Sequence, residues 1–163
     1  YFDETIDTLA QIDFSAGEIL LIQYGLNDYN RGVAIYDEED PWNEYTFAGA
    51  LRSTLKLLQE TFPDQRIILA TPCYSWYIAG GKACGEYDLG GGTLDEYVEA
   101  ELEIAAQMGV EIIDLYHDLW PHEKWEDWEL YTKDGFHPNE AGRELIARRI
   151  AEYLESEPAE PES

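Results

Sequence analysis

Asp134-Gly135-Phe136-His137-Pro138 is the stretch of this 163-residue chain best suited to proton chemistry. An imidazole titrates near neutrality and can take a proton from a reacting hydroxyl. A carboxylate three residues earlier, across a loop, can accept from the ring's other N–H and fix its tautomer. A second stretch, Gly25-Leu26-Asn27-Asp28, follows the apolar run Ile19-Leu20-Leu21-Ile22. Asn27 offers a side-chain amide just past a strand's carboxyl end, and Gly25 lets another group approach the backbone closely. In open α/β sheets that edge is where ligands bind. Both stretches have a plainer reading as well. Asp134 and Asn139 can cap turns with His137 a loop residue, and Asp28 reads as structural, holding its own loop through local hydrogen bonds.

The elements that must carry these residues follow from periodicity. Apolar residues at 2, 6, 9 and 12 predict a helix over 1–12. The run at 19–24 is a strand with no alternation, as expected of one buried on both faces of a parallel sheet. Residues 29–42 show no sustained period and read as a loop over the sheet's carboxyl edge. A helix is expected from Asn43 to Phe62 on a face of Phe47, Leu51, Thr54, Leu55, Leu58 and Phe62, stopped by Pro63. Residues 66–70 form a second short strand. The long segment 73–93, with its glycines, reads either as a mobile flap or as a plain connector. Thr93 and Glu96 form a capping-box pair that opens a helix to Met108, ended by Gly109. A third strand covers 110–115, and 117–131, rich in Trp and acids, is expected to line a rim of the site. Asn139 caps a last helix to about Leu154, and 156–163 is an acidic tail expected to be disordered. Alternation of helix and strand predicts a parallel sheet with helices on both faces.

These residues and their order resemble the SGNH (GDSL-type) hydrolase family. Gly25-Leu26-Asn27-Asp28 matches its Gly-x-Asn-Asp block, and Asp134-Gly135-Phe136-His137-Pro138 matches its Asp-x-x-His-Pro block. The resemblance implies a three-layer α/β/α fold with a parallel, flavodoxin-like sheet over residues 1–155, N-terminally incomplete. It implies His137 as general base, Asp134 as its orienter, and Asn27 with Gly25 as oxyanion donors. The family's Gly-Asp-Ser turn is absent, and so is a counterpart of its second oxyanion glycine. Both lie upstream of the Gly-x-Asn-Asp block in that family, so the nucleophilic serine is expected before Tyr1. The first two strands would be absent with it, leaving a hydrophobic sheet edge that a further segment or a partner subunit must cover. The implied activity is hydrolysis of a small ester, with an acetyl ester on a carbohydrate as the candidate. Aromatic loop residues, Tyr29 and Trp76 foremost, are the expected substrate contacts, though such rings could equally be packed into the core. A binding or interaction module that keeps the fold without a nucleophile is the alternative.

Composition narrows the partners. With 35 Asp+Glu against 10 Lys+Arg the net charge is −25, a field that repels nucleic acid and anionic membrane surfaces. The expected partner is a small-molecule ester. His117 and His122 lie among Asp114, Asp118 and Glu123, but their spacing matches no zinc pattern, and neither metal nor cofactor is expected. Cys73 and Cys84 make no disulfide framework and are expected as free thiols. No charged-then-apolar leader opens the sequence; a trimmed or truncated start is expected at Tyr1, and the compartment is not read from it.

Overall fold

The computed structural model describes residues 8–9, 11–14, 17–117, 119–122 and 124–156. Most of the expected 1–12 helix and of the acidic tail therefore falls outside the described residues. In chain order the elements are β1 (Ile19–Gln23), α1 (Leu26–Arg31), α2 (Phe47–Thr61), β2 (Arg66–Ala70), β3 (Trp76–Tyr77), β4 (Lys82–Ala83), α3 (Leu94–Met108), β5 (Glu111–Ile113), α4 (Trp125–Tyr131) and α5 (Glu140–Glu155).

The sheet is parallel, in the order β1-β2-β5, with Ile19 opposite Arg66 and Ile68 opposite Glu111. Central β2 alternates between two cores, because successive side chains leave a strand on opposite faces. Ile67 and Leu69 join Phe47, Leu51, Leu55 and Leu58 of α2 and Leu94, Val98 and Ile104 of α3. Ile68 and Ala70 join Ile113, Leu115 and Trp120, against which Leu145, Ile146 and Ile150 of α5 pack. Helices thus cover both faces, giving a three-layer α/β/α architecture. Each fully buried Leu or Phe contributes roughly 1.5–3 kcal/mol, so these apolar faces, more than helix propensity, hold the layers together.

The carboxyl ends of the strands are tied together. Thr71 Oγ1 accepts from the Leu115 N–H (2.8 Å), the Thr71 N–H donates to the Ile113 carbonyl (3.0 Å), and Gln23 donates to the Thr71 carbonyl (3.1 Å). At the other end, Arg66 grips Glu111 through two bonds of 2.7 and 2.6 Å, fixing the register of β2 against β5.

Several expectations change. The β1 strand is not buried on both faces. Leu20 and Ile22 pack inward, whereas Ile19 and Leu21 stay 39% and 44% exposed, because no described element covers that side. β1 is an edge strand among the described residues, and an apolar groove of about 540 Å³ runs along it, walled by Phe14, Leu51, Leu55 and Leu58. The chain after β1 is not all loop. Gly25, at φ 97°, turns it directly into the short helix α1, which Gly32 ends in the left-handed conformation. The 73–93 segment is no structureless flap: β3 and β4 pair antiparallel, flanked by 3₁₀ turns. Helix α2 begins later than expected, at Phe47, because Thr46 accepts from the Gly49 N–H and so caps it. The capping box of Thr93 and Glu96 and the Gly109 stop of α3 are as the sequence predicts. Within 117–131 the structure adds α4.

Candidate active site

His137 stands on the loop between α4 and α5, and that loop is held at several points. Thr132 Oγ1 donates to the Trp128 carbonyl (2.9 Å) and accepts from the Gly135 N–H (3.0 Å). The Lys133 N–H donates to the His137 carbonyl (2.8 Å), and the Trp76 N–H to the Gly135 carbonyl (3.0 Å). Gly135 has φ 87°, and a Cβ on it would overlap the Trp76 carbonyl, so only glycine suits the position. Asn139 then caps α5 by accepting from the Gly142 N–H (3.1 Å).

The frame holds a carboxylate–imidazole pair. Asp134 Oδ2 lies 2.7 Å from His137 Nδ1, and Oδ1 accepts from the N–H groups of His137 (2.8 Å) and Phe136 (3.1 Å). These bonds, the His137 backbone N–H foremost, hold the Asp134 carboxyl below the usual carboxylate range. It therefore stays ionised at neutral pH, able to orient the ring and to stabilise an imidazolium. The His137 side chain is otherwise largely exposed, at 78%.

His137 and the strand-end residues line one cavity of about 600 Å³. Its lining includes Gly25, Asn27, Asp28 and Arg31 after β1 and Phe136, His137, Pro138 and Ile146 around the start of α5. Asn27 is exposed on the first turn of α1, and its amide has no partner among the described residues. His137 and the Asn27 amide thus line the same space, as acyl transfer requires of a base and an oxyanion donor.

Two expected contacts lie elsewhere. Tyr29 is fully buried, its hydroxyl donating to the Tyr87 carbonyl (2.8 Å); a ring with no exposed face cannot stack on a ligand. Trp76 packs on Trp128 and Trp125 at 4.9 and 5.9 Å, away from the cavity lining, and serves the His137 loop through its backbone. Ser75 does line the cavity, but it is buried and its Oγ donates to the Cys73 carbonyl (2.8 Å). Cys73 also lines it; burial pushes this free thiol up to about 12, so it is neutral and a poor nucleophile.

Asp28, expected only to hold its own loop, lies on the cavity wall. Burial raises its carboxyl to about 6, with its own backbone N–H and Arg31 pulling the other way. Nothing in an Asn-Asp pair marks such burial. A second Asp-x-x-His, Asp114 to His117, repeats the local bonds of the first, with Oδ2 2.7 Å from Nδ1. It lies outside the cavity lining, and among the described residues no group of His, Cys, Asp and Glu is assembled to hold a metal.

The molecule is thus a parallel α/β sheet that carries an Asp–His pair and the Asn27 amide at its carboxyl edge. Residues 2–145 match the model of the GDSL-like lipase/acylhydrolase family, and the chain belongs to that family. A solved structure 30% identical covers 91% of this chain and 68% of its own, with a TM-score of 0.78. A crystal structure of a Lactobacillus plantarum protein, 25% identical over 94% of this chain and 74% of its own, aligns at 0.83. The lipase/acylhydrolase from Enterococcus faecalis, 19% identical over 94% and 69%, aligns at 0.63 and shows the shared fold. No match was found among curated proteins.

Proposed function

We propose that this chain carries the base, orienter and oxyanion donors of a serine ester hydrolase acting on a small ester, with an acetyl ester of a carbohydrate as the candidate substrate. The observation that carries the reading is the single cavity of about 600 Å³ lined by Gly25, Asn27 and His137, with Asp134 behind the ring. The nucleophilic serine belongs to a segment laid along the free edge of β1, where a further strand would pair with the open backbone and end beside Asn27.

In the reaction, the serine hydroxyl adds to the ester carbonyl as His137 Nε2 takes its proton. The Asn27 amide and the Gly25 N–H donate to the oxyanion, and ionised Asp134 steadies the imidazolium. Collapse expels the alcohol, which receives the proton from His137. Water, activated the same way, releases the acid and restores the serine.

The test is the intact mass of the native gene product before and after a serine-reactive fluorophosphonate, together with turnover of a chromogenic acetate. One added label, lost in His137→Ala, is expected. Asn27→Ala is expected to lower kcat about 10²–10³-fold with little change in KM. A native protein that takes no label and turns over no acetate would overturn the reading and leave a binding module with a hydrolase fold.

A further inference from the structure

Burial removes the substrate contact expected from Tyr29, and packing away from the cavity removes that expected from Trp76; the structure offers another residue in their place. Among the large hydrophobic side chains exposed on the described residues, Tyr45 is the barest at 73%, and it lines the same cavity as Asn27 and His137. The other exposed aromatics are engaged elsewhere. The Tyr36 hydroxyl donates to Glu103 (3.4 Å), and the Trp42 ring lies under Lys56 Nζ at 5.4 Å. The Tyr45 side chain has no partner among the described residues.

Its backbone, by contrast, is locked. The Tyr45 N–H donates to Asn43 Oδ1 (3.0 Å), and Thr46 donates to the Asn43 carbonyl through its N–H (2.9 Å) and its hydroxyl (2.8 Å). Asn43 Nδ2 is itself held by Asp37 Oδ2 at 2.6 Å. Gly49 lets this turn lie against α2, since a Cβ there would overlap the Asn43 backbone. An aromatic ring that buries almost nothing, mounted on a turn this constrained, is preorganised to bury its face against something that enters the cavity. Phe136, Pro138 and Ile146, also in the lining, add apolar surface to the same cavity.

Resting on the hydrolase reading above, we infer that Tyr45 is a specificity-determining residue that packs on a six-membered ring attached to the ester, either the C–H face of a pyranose or the face of an arene. Acetates of small aliphatic alcohols lack that contact.

The native gene product carrying His137→Ala, which cannot turn over, reports binding alone. Phenyl acetate and a pyranosyl acetate are titrated into it by heteronuclear NMR, following the Tyr45 amide, with ethyl acetate as the aliphatic probe. Tyr45→Ala in that background is expected to weaken at least one ring ester about tenfold, while Tyr45→Phe keeps its affinity. The ester that loses affinity identifies the ring class. In the active enzyme, Tyr45→Ala is expected to cut the ratio of kcat/KM for that ring ester over ethyl acetate about tenfold, through KM. Equal weakening of all three esters, no weakening, or no binding of either ring ester overturns the inference. Binding that depends on Tyr45 without turnover by the native protein would instead sink only the hydrolase reading.

Discussion

Asp28→Asn isolates a carboxyl that the fold holds in an unfavourable place. Asp28 is 7% exposed on the cavity wall, and burial lifts its carboxyl from 3.8 to about 6. Between those values the folded protein binds a proton that the unfolded chain has released. Stability from this group is therefore complete below about pH 4 and is lost as pH rises toward 6. Roughly two pH units at 1.36 kcal/mol each give an upper figure of about 3 kcal/mol, which the solvent reaching the cavity lowers to about 2 kcal/mol. Asparagine keeps the shape without the charge. Urea unfolding of both proteins at five pH values from 4 to 8 measures the difference directly. The slope contributed by the net charge of −25 is nearly common to both and largely cancels. The variant should match the parent near pH 4 and exceed it by about 2 kcal/mol at pH 7.5. A difference that stays flat would refute the reasoning. A parent that gains on the variant as pH rises would mean that Arg31 stabilises the ionised form by more than burial penalises it.

Two further perturbations follow from the same physics. Glu101 is fully buried on α3 with neither carboxyl oxygen partnered among the described residues, and burial, then Asp114 and Asp28, raise its carboxyl well above the usual range. Its folded form prefers the proton, so stability falls as pH rises past the unfolded value, and Glu101→Gln should raise Tm more at pH 8 than at pH 5 in thermal scans. Gly135→Ala forces a side chain into φ 87° and against the Trp76 carbonyl, and should cost about 1–3 kcal/mol. Loss of the hydrogen-bonded His137 Nδ1–H proton resonance would show the Asp134 pair opening with it, and an unchanged resonance would show that the loop tolerates the alanine.

What the sequence revealed was whatever local chemistry decides. The Thr93–Glu96 box, the Gly109 stop and the Asn139 cap are each settled within a few residues, so the helix ends they govern could be read directly. The 66–70 strand was legible for a related reason, an apolar run with polar residues at both sides. The β3–β4 hairpin was not, because two-residue strands carry no period, and their glycines imitate a loop. Tyr29 and Tyr45 show the same limit at the site. Both are tyrosines near the strand's carboxyl edge, yet one is sealed under α3 and the other stands in solvent, a difference made by packing far away in sequence.

The two Asp-x-x-His pairs show where local chemistry stops. Asp114–His117 and Asp134–His137 have the same spacing, the same backbone donors and the same 2.7 Å carboxylate–imidazole bond. Such a pair is a self-contained turn that any loop can form, because the carboxylate satisfies the two amides following it whether or not a substrate is near. Only the second shares a cavity with Asn27. That meeting depends on the parallel sheet, which delivers β1's end to the same edge as the loop before α5 although more than a hundred residues separate Asn27 from His137. The pair of motifs therefore carried more than either alone. Each names a local turn, and a shared cavity is what the proposed joint action of His137 and Asn27 on one carbonyl requires.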